Sequence, residues 1–400
     1  MATQSPLDRL LEYKMQLISD SRHQRVFNSW SHDLISAALG LLLTFGLISD
    51  NIYQARTGEY SATAPWHWVI YSAMILVVTW YVFLAWRQYH AKENPNDAGE
   101  MRHRTGLSAL PLGYGVTAFA VPLIGLAGVA NVIWRLVAGE ETLANSVLSP
   151  THLGLAVGTA LLLSAPWLSA WQQRQRGNLI EAPHWILRDV PGALSLGSVL
   201  TIIVLFLPYG IPYSGYPTTF LQLVAANQPA YLVTGVALVL FATIVALATM
   251  MIVTRHHRPL FGYFTLASIA PALAAGSFTD YATPSFVVLA AGLGLLSDFF
   301  VWLTWPQLRR RRDLLVIGAA WPLLAWSALL IVVRFETGLR PSSEISVGIP
   351  LIAAIVGTLF MLIQHAEQLP RPVEADNAAN PFDDVISRAR AMTERSTQDD

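Results

Sequence analysis

Ten long apolar stretches dominate the sequence and constrain its fold more than any other feature. They cover residues 33–50, 66–86, 107–134, 152–171, 192–212, 229–253, 259–279, 282–304, 314–334 and 345–364. A helix needs about 20 apolar residues to cross the hydrocarbon core of a bilayer. The pattern therefore predicts an all-α fold, a polytopic membrane helix bundle with about ten transmembrane helices.

The composition agrees with a membrane protein and excludes several function classes. Only 13% of the residues are charged, about half of the ~25% typical of soluble domains. The formal net charge of −1 gives no reason to expect a nucleic-acid partner, so the lipid bilayer is the first partner expected. Cysteine is absent, which excludes disulfides, thiolate metal sites and cysteine nucleophiles. No Walker loop, dinucleotide-binding glycine motif, HExxH or GxSxG occurs.

The basic residues predict the orientation of the bundle. Of the 25 Lys and Arg residues, 21 lie in the N-terminal arm, in every second link between apolar stretches, or in the C-terminal tail. The other four are Arg56, Arg135, Arg334 and Arg340. Cationic segments stay in the cytoplasm, so both termini are expected there, in a multi-pass protein of the cell inner (plasma) membrane.

Three regions follow from this organisation. Residues 1–30 form a cytoplasmic arm rather than a signal peptide, because they contain no apolar core segment. Its apolar positions recur at helical spacing, which fits an amphipathic helix on the membrane or an ordinary soluble helix. Residues 31–369 form the transmembrane domain, and residues 370–400 a polar cytoplasmic tail.

The first two helical hairpins, residues 31–90 and 107–172, carry polar residues in the same order. In each, Gly-Glu begins eight positions after Asp50 or Asn131. In each, a small residue, Pro and one further residue precede the His that opens the return helix, in the runs Ala64-Pro65-Trp66-His67 and Ser149-Pro150-Thr151-His152. This echo predicts a duplicated helical hairpin.

The spacing in the first hairpin predicts a polar cluster at its turn. Asp50 and Gln54 are four residues apart and share a helix face. His67 opens the return helix, so the three side chains can converge at the outer membrane boundary. Asp and His are ligands of first-row transition metals, which makes Asp50 and His67 candidate metal ligands. The alternative is a structural polar cluster that marks the membrane boundary.

The pattern resembles the C-type subunit of the copper membrane monooxygenases, the particulate methane and ammonia monooxygenases. That family has Asp, three residues, His, twelve residues and His, and Asp50, Gln54 and His67 stand at those gaps. The likeness covers about 35 residues in each hairpin. It implies a copper cofactor and partner subunits in a membrane complex. The ligand set is incomplete, because Gln54 replaces the middle His, while Asn131 and Arg135 replace the Asp and middle His of the second hairpin.

The candidate metal ligands are therefore Asp50, His67 and His152. The other candidate polar residues are Gln54, Glu59, Asn131, Arg135, Glu140 and Asp298. Asp298 is the only carboxylate well inside a predicted span, and such a residue is a functional candidate by default. Asp33, at the start of the first span, is expected to cap that helix.

Three functions remain open from the sequence. The first is a C-type subunit with a degenerate metal site, with or without enzymatic activity. The second is a secondary transporter of a small solute, which predicts a cavity near the middle of the bundle. The third is an accessory scaffold without chemistry. Where the transporter predicts a cavity, the C-type subunit predicts that polar residues gather at the outer ends of the first four helices.

Overall fold

The computed structural model describes residues 28–57, 65–90, 110–139, 149–175, 185–206, 229–255, 258–304 and 311–368. Every regular element in these ranges is helical. The α-helices are α1 (Trp30–Thr57), α2 (Pro65–His90), α3 (Thr117–Ala138), α4 (Pro150–Leu163), α5 (Ala165–Gln175), α6 (Val190–Phe206), α7 (Pro229–Thr254), α8 (Tyr263–Ser277), α9 (Pro284–Thr304), α10 (Arg311–Thr337) and α11 (Ser343–Gln368). Short 3₁₀ turns precede α3 and α6, at Tyr114–Val116 and Trp185–Asp189. The N-terminal arm before residue 28 and the polar tail lie outside the described residues.

The all-α membrane-type fold predicted from the sequence is confirmed. In the described part of the chain, eight helices are long and apolar enough to cross a membrane. The pair α4 and α5, bent by 43° at Ser164, would make a ninth crossing. The apolar helix α8 is shorter, at 15 residues. Helix α3 begins at Thr117, ten residues later than the predicted stretch, because residues 110–113 are irregular and a 3₁₀ turn follows.

The break between α4 and α5 has a clear backbone cause. Pro166 has no N–H, so it cannot bond the carbonyl of Leu162 four residues earlier. The Tyr81 hydroxyl from α2 donates to that carbonyl instead, at 3.1 Å. Beside it, Ser195 of α6 donates to the carbonyl of Leu163 at 2.6 Å and accepts from the N–H of Trp167 at 3.1 Å. Neighbouring helices therefore satisfy the backbone groups that the break exposes.

Hairpin partners pack antiparallel, whereas α1, α6 and α8 run in the same direction at the centre of the bundle. Helix α1 lies against α2, α6 and α8, and α3 pairs with α4. On the other side, α8 packs along α9, and α10 along α11, which also contacts α7. The bundle has two ends, the Asp50 end and the arginine end. The Asp50 end holds the α1–α2, α8–α9 and α10–α11 turns, and the arginine end holds Arg87, Arg174, Arg188 and Arg258.

Candidate functional site

The structure brings Asp50, Gln54 and His67 together at the Asp50 end of the first hairpin. Asp50 lies two turns before the end of α1, and His67 lies in the first turn of α2. The Nδ1 atom of His67 is 3.1 Å from Oδ1 of Asp50. Gln54 Nε2 donates to the other carboxylate oxygen of Asp50 at 2.7 Å. Gln54 thus bonds one oxygen of the carboxylate, while the other oxygen lies close to His67 and accepts no hydrogen bond from the described residues.

Aromatic rings surround this cluster and limit its contact with water. The His67 and Tyr71 rings lie 6.0 Å apart between centroids. Phe45 and Trp66 form an edge-to-face pair one turn away. The side chains of His67 and Asp50 are only 14% and 12% exposed. In such a setting a carboxylate and an imidazole interact more strongly than they would in water.

The Asp50–His67 pair fits one edge of a metal site. Ligands bound at ~2.0–2.1 Å in tetrahedral geometry lie about 3.3 Å from each other, close to the observed 3.1 Å. Gln54 would then orient the carboxylate from behind, as a supporting hydrogen-bond partner does. The described residues contain no group of three or more His, Cys, Asp or Glu side chains that could hold a metal. Glu59, in the link between α1 and α2, lies outside them.

The corresponding turn of the second hairpin holds neutral hydrogen bonds. Thr151 Oγ1 donates to Oδ1 of Asn131 at 3.1 Å. Ser149 and Thr151 hydroxyls lie 2.9 Å apart. His152 is buried at the start of α4, while Arg135 is partly exposed near the end of α3. Glu140 lies outside the described residues, and His152 joins no three-ligand group with Asp50 and His67 in the described part.

Small residues let the two helices of each hairpin approach closely. In the first hairpin, a Cβ on Gly46 would lie 3.1 Å from Ile70, three residues after His67. In the second, a Cβ on Gly154 would lie 3.0 Å from Ala127, and one on Gly158 would lie 2.6 Å from Ile124. The closest contacts of the two hairpins therefore do not fall at corresponding positions.

A second set of contacts ties the first hairpin to the α8–α9 turn. Asn51 Nδ2 donates to the Ser277 hydroxyl at 2.7 Å. The Arg56 guanidinium pairs with the Asp280 carboxylate at 2.7 and 2.8 Å. The Arg56 hydrogen bond holds the pKa of the Asp280 carboxyl below its usual range. The first hairpin is thereby anchored to the centre of the bundle at the Asp50 end.

Asp298 performs a structural task that accounts for its position inside the bundle. Its Oδ1 accepts the backbone N–H of Phe264 at 3.0 Å. Its Oδ2 accepts the N–H of Thr265 at 2.8 Å and the Thr265 hydroxyl at 2.6 Å. These are the unsatisfied donors of the first turn of α8, so α9 supplies the cap of α8. The first turn of α8 is therefore capped without an acidic residue on α8 itself.

Asp33 does not cap α1, so that expectation was wrong. Helix α1 begins at Trp30, and Asp33 is buried in its first turn. Its carboxylate accepts from Asn28 at 2.7 Å, from the Tyr114 hydroxyl at 2.8 Å and from Ser169 at 3.0 Å. Tyr114 and Ser169 lie 81 and 136 positions away along the chain. An acidic residue at the start of an apolar stretch was the only sequence signal for this network.

Asp189 forms a second buried network at the arginine end that the sequence did not indicate. It contacts the Arg174 guanidinium of α5, and Arg188 Nε lies 3.6 Å away. Its other oxygen accepts the backbone N–H of Leu260 at 2.7 Å. Asp189 therefore joins α5, the start of α6 and the segment before α8 in one charged contact.

An apolar cavity of about 210 Å³ lies deeper in the bundle, lined by α6 to α10. It shares no residue with the Asp50 cluster. The features expected for the two main functional alternatives therefore both occur, the polar hairpin turns and a cavity between helices.

Comparison with family models, with curated proteins and with solved structures finds no match to this chain.

Proposed function

We propose that the protein crosses the inner membrane ten times, with the Asp50 end outside and both termini in the cytoplasm. Each of the ten apolar stretches falls on a helix or, for 152–171, on the bent pair α4 and α5. Antiparallel packing puts Arg56 and Arg334 near one end and most other described arginines at the opposite end. That asymmetry supports the orientation by the positive-inside rule.

We infer that the functional site is the turn of the first hairpin and that the chain serves as a subunit resembling the C component of copper membrane monooxygenases. The observation that carries this proposal is the 3.1 Å approach of His67 to Asp50 from two different helices. The pair would hold a first-row metal ion, copper in the first instance, with the remaining ligands from the α1–α2 link or a partner protein. Supporting this, the second hairpin has Asn131, hydrogen-bonded to Thr151, at the position that corresponds to Asp50.

Metal analysis of the purified protein tests the proposal. We expect about one copper or zinc ion per chain after removal of loosely bound metal, and loss of that ion in Asp50→Ala and His67→Ala. Asn131→Ala is the matched control, because it changes the equivalent position of the second hairpin and should retain the ion. A wild-type protein without stoichiometric copper or zinc refutes the metal site and leaves the scaffold function.

A gain-of-function variant provides an independent test. Gln54→His completes the Asp, His, His set at the spacing of the resembled family. A third ligand on the same helix face should raise copper affinity at least tenfold, while Gln54→Leu, which adds no ligand, should not. Unchanged affinity in Gln54→His would show that the turn is not arranged around a metal.

A carrier function is the second candidate, and the cavity between α6 and α10 is what favours it. Its lining contains no charged side chain among the described residues. An ion-coupled mechanism usually needs ionisable groups near the bilayer middle. The cavity therefore supports passage or storage of an uncharged molecule more than ion-coupled transport.

A further inference from the structure

The apolar cavity lies at mid-depth in the bundle, where five helices fail to close on each other. Its volume is about 210 Å³. Its walls come from the middle of α6, α7, α8, α9 and α10. The cavity is partly open rather than sealed, and the exposed side chain of Phe241 belongs to its lining. This position is separate from the hairpin turns.

Small side chains create the space. Six alanines and one glycine on facing helices stand where larger residues would fill the gap: Ala242, Ala246, Ala267, Ala272, Ala275, Ala290 and Gly294. Protein interiors are normally packed to near-crystalline density, so a void of this size is unusual. Gly294 also lets α9 approach α8 closely, because a Cβ there would lie 2.5 Å from the carbonyl oxygen of Phe264. The cavity therefore lies beside a tight helix contact.

The polar atoms around the cavity are already used within the protein. Thr243 donates to the carbonyl of Val239 at 2.7 Å and accepts from the Trp326 indole at 2.9 Å. Ser297 donates to the carbonyl of Leu293 at 2.8 Å and accepts from the Trp321 indole at 3.0 Å. Each hydroxyl is thus tied to its own helix and to an indole.

Two further hydroxyls in the cavity lining also donate to backbone carbonyls. Thr249 donates to the carbonyl of Val245 at 2.8 Å. Ser268 donates to the carbonyl of Thr265 at 2.8 Å and lies 3.2 Å from that of Ala291. A water molecule in the cavity would lack the two to four polar partners that hold buried water. A ligand with charged or strongly polar groups would lose its hydration without replacement.

We propose that this cavity binds a hydrocarbon group, either a small uncharged hydrocarbon or part of a lipid acyl chain. An engineered cavity of about 150 Å³ lined by apolar residues binds benzene, so a space of about 210 Å³ accepts a ring of that size or a short alkyl segment. The two indoles, Trp321 and Trp326, line the space and supply flat walls. The inference is independent of the Asp50 site, since no residue is shared.

Tryptophan quenching by bromine tests the proposal with the two indoles as reporters. Bromobenzene added to the purified protein should quench a saturable fraction of the fluorescence. That fraction should fall by at least half in Trp321→Phe/Trp326→Phe. It should disappear in Ala246→Phe and in Ala290→Phe, which fill the cavity from different helices. Ala248→Phe, on α7 but outside the lining, is the matched control and should behave as wild type.

Reconstitution in bilayers with brominated acyl chains distinguishes a lipid acyl chain from a small free hydrocarbon as the bound group. Quenching of the same two indoles there, abolished by Ala246→Phe or Ala290→Phe, assigns a lipid chain as occupant. Quenching by bromobenzene alone assigns a small free hydrocarbon. If neither probe gives a saturable component that responds to the filling variants, the cavity is not a binding site and the proposal fails.

Discussion

At the scale of single residues, buried carboxylates organise this bundle. Asp33, Asp189 and Asp298 lie near the arginine end, and each accepts hydrogen bonds from donors on other segments. Asp50, at the opposite end, accepts a hydrogen bond from Gln54 of its own helix and lies 3.1 Å from His67 of the next helix. A buried carboxylate is costly unless it is paired or hydrogen-bonded. These four positions therefore fix which helices meet, in a protein where apolar contact alone discriminates poorly.

Asp298 gives the first residue-scale prediction. Asp298→Ala removes the acceptors for the first turn of α8, and losing a helix cap costs about 0.5–2 kcal/mol. We expect a lower melting temperature in detergent. The melting temperature of Asp298→Asn, which keeps one acceptor oxygen, should lie between those of wild type and Asp298→Ala. An unchanged melting temperature in Asp298→Ala would mean that α8 does not depend on this cap.

The Arg56–Asp280 pair gives a pH prediction. Because Arg56 lowers the pKa of Asp280 in the folded protein, the pair stabilises at pH values above the ordinary Asp pKa of about 4. The contribution is lost as pH falls through the lowered value. The melting temperatures of wild type and Asp280→Asn should therefore differ at pH 7, and the difference should shrink as the pH is lowered below about 4. Asn is a clean replacement, because Asp280 has a positive φ of 49°, a conformation that Asn tolerates. A difference that does not shrink as the pH falls below about 4 would contradict the ion pair.

Residue spacing predicted some of these contacts and could not predict others. Asp50 and Gln54 share a helix face, and a short link returns the chain to His67, so local geometry was enough to bring them together. The partners of Asp33 and Asp189 come from segments up to 136 positions away. Nothing in a single sequence encodes which distant helix supplies them.

At the scale of helices, the length of the apolar stretches predicted the positions of the helices better than their breaks and bends. Most of the long apolar runs coincide with a helix or bent helix pair long enough to span the hydrocarbon core, whereas the run 259–279 contains only the 15-residue helix α8. The break after α4 escaped prediction, although Pro166 was visible. A proline within an apolar run can give a kink or a full break. Here the outcome depended on Tyr81 and Ser195, which satisfy the freed carbonyls from other helices.

The crossing of α10 and α11 provides an element-scale prediction. A Cβ on Gly318 would lie 2.7 Å from the carbonyl oxygen of Gly357. A Cβ on Gly357 would likewise overlap the carbonyl oxygen of Gly318. Gly357→Ala should therefore force the helices apart and lower the melting temperature. Gly348→Ala, on the same helix with open space around it, should be neutral or stabilising, since Ala favours a helix by about 1 kcal/mol over Gly. Equal effects of both substitutions would contradict the close crossing.

At the scale of the whole molecule, polar chemistry and apolar space are separated. The hairpin turns at the Asp50 end gather the Asp50 carboxylate, the His67 imidazole, the Gln54 amide and the Thr151 hydroxyl. The cavity between α6 and α10 has no charged lining residue among those described. A protein that holds a metal at one face and a hydrocarbon group in its interior is consistent with both features.

The proposed topology requires the Asp50 end to lie on the outer face of the membrane. The chain contains no cysteine, so a single introduced cysteine is a unique label. Ser31→Cys, at the start of α1, and Ser343→Cys, at the start of α11, are matched replacements of exposed serines at opposite ends. With a membrane-impermeant maleimide on intact spheroplasts, we predict labelling of Ser343→Cys at once and of Ser31→Cys only after lysis. The reverse pattern, or labelling of both from one side, would contradict the proposed orientation.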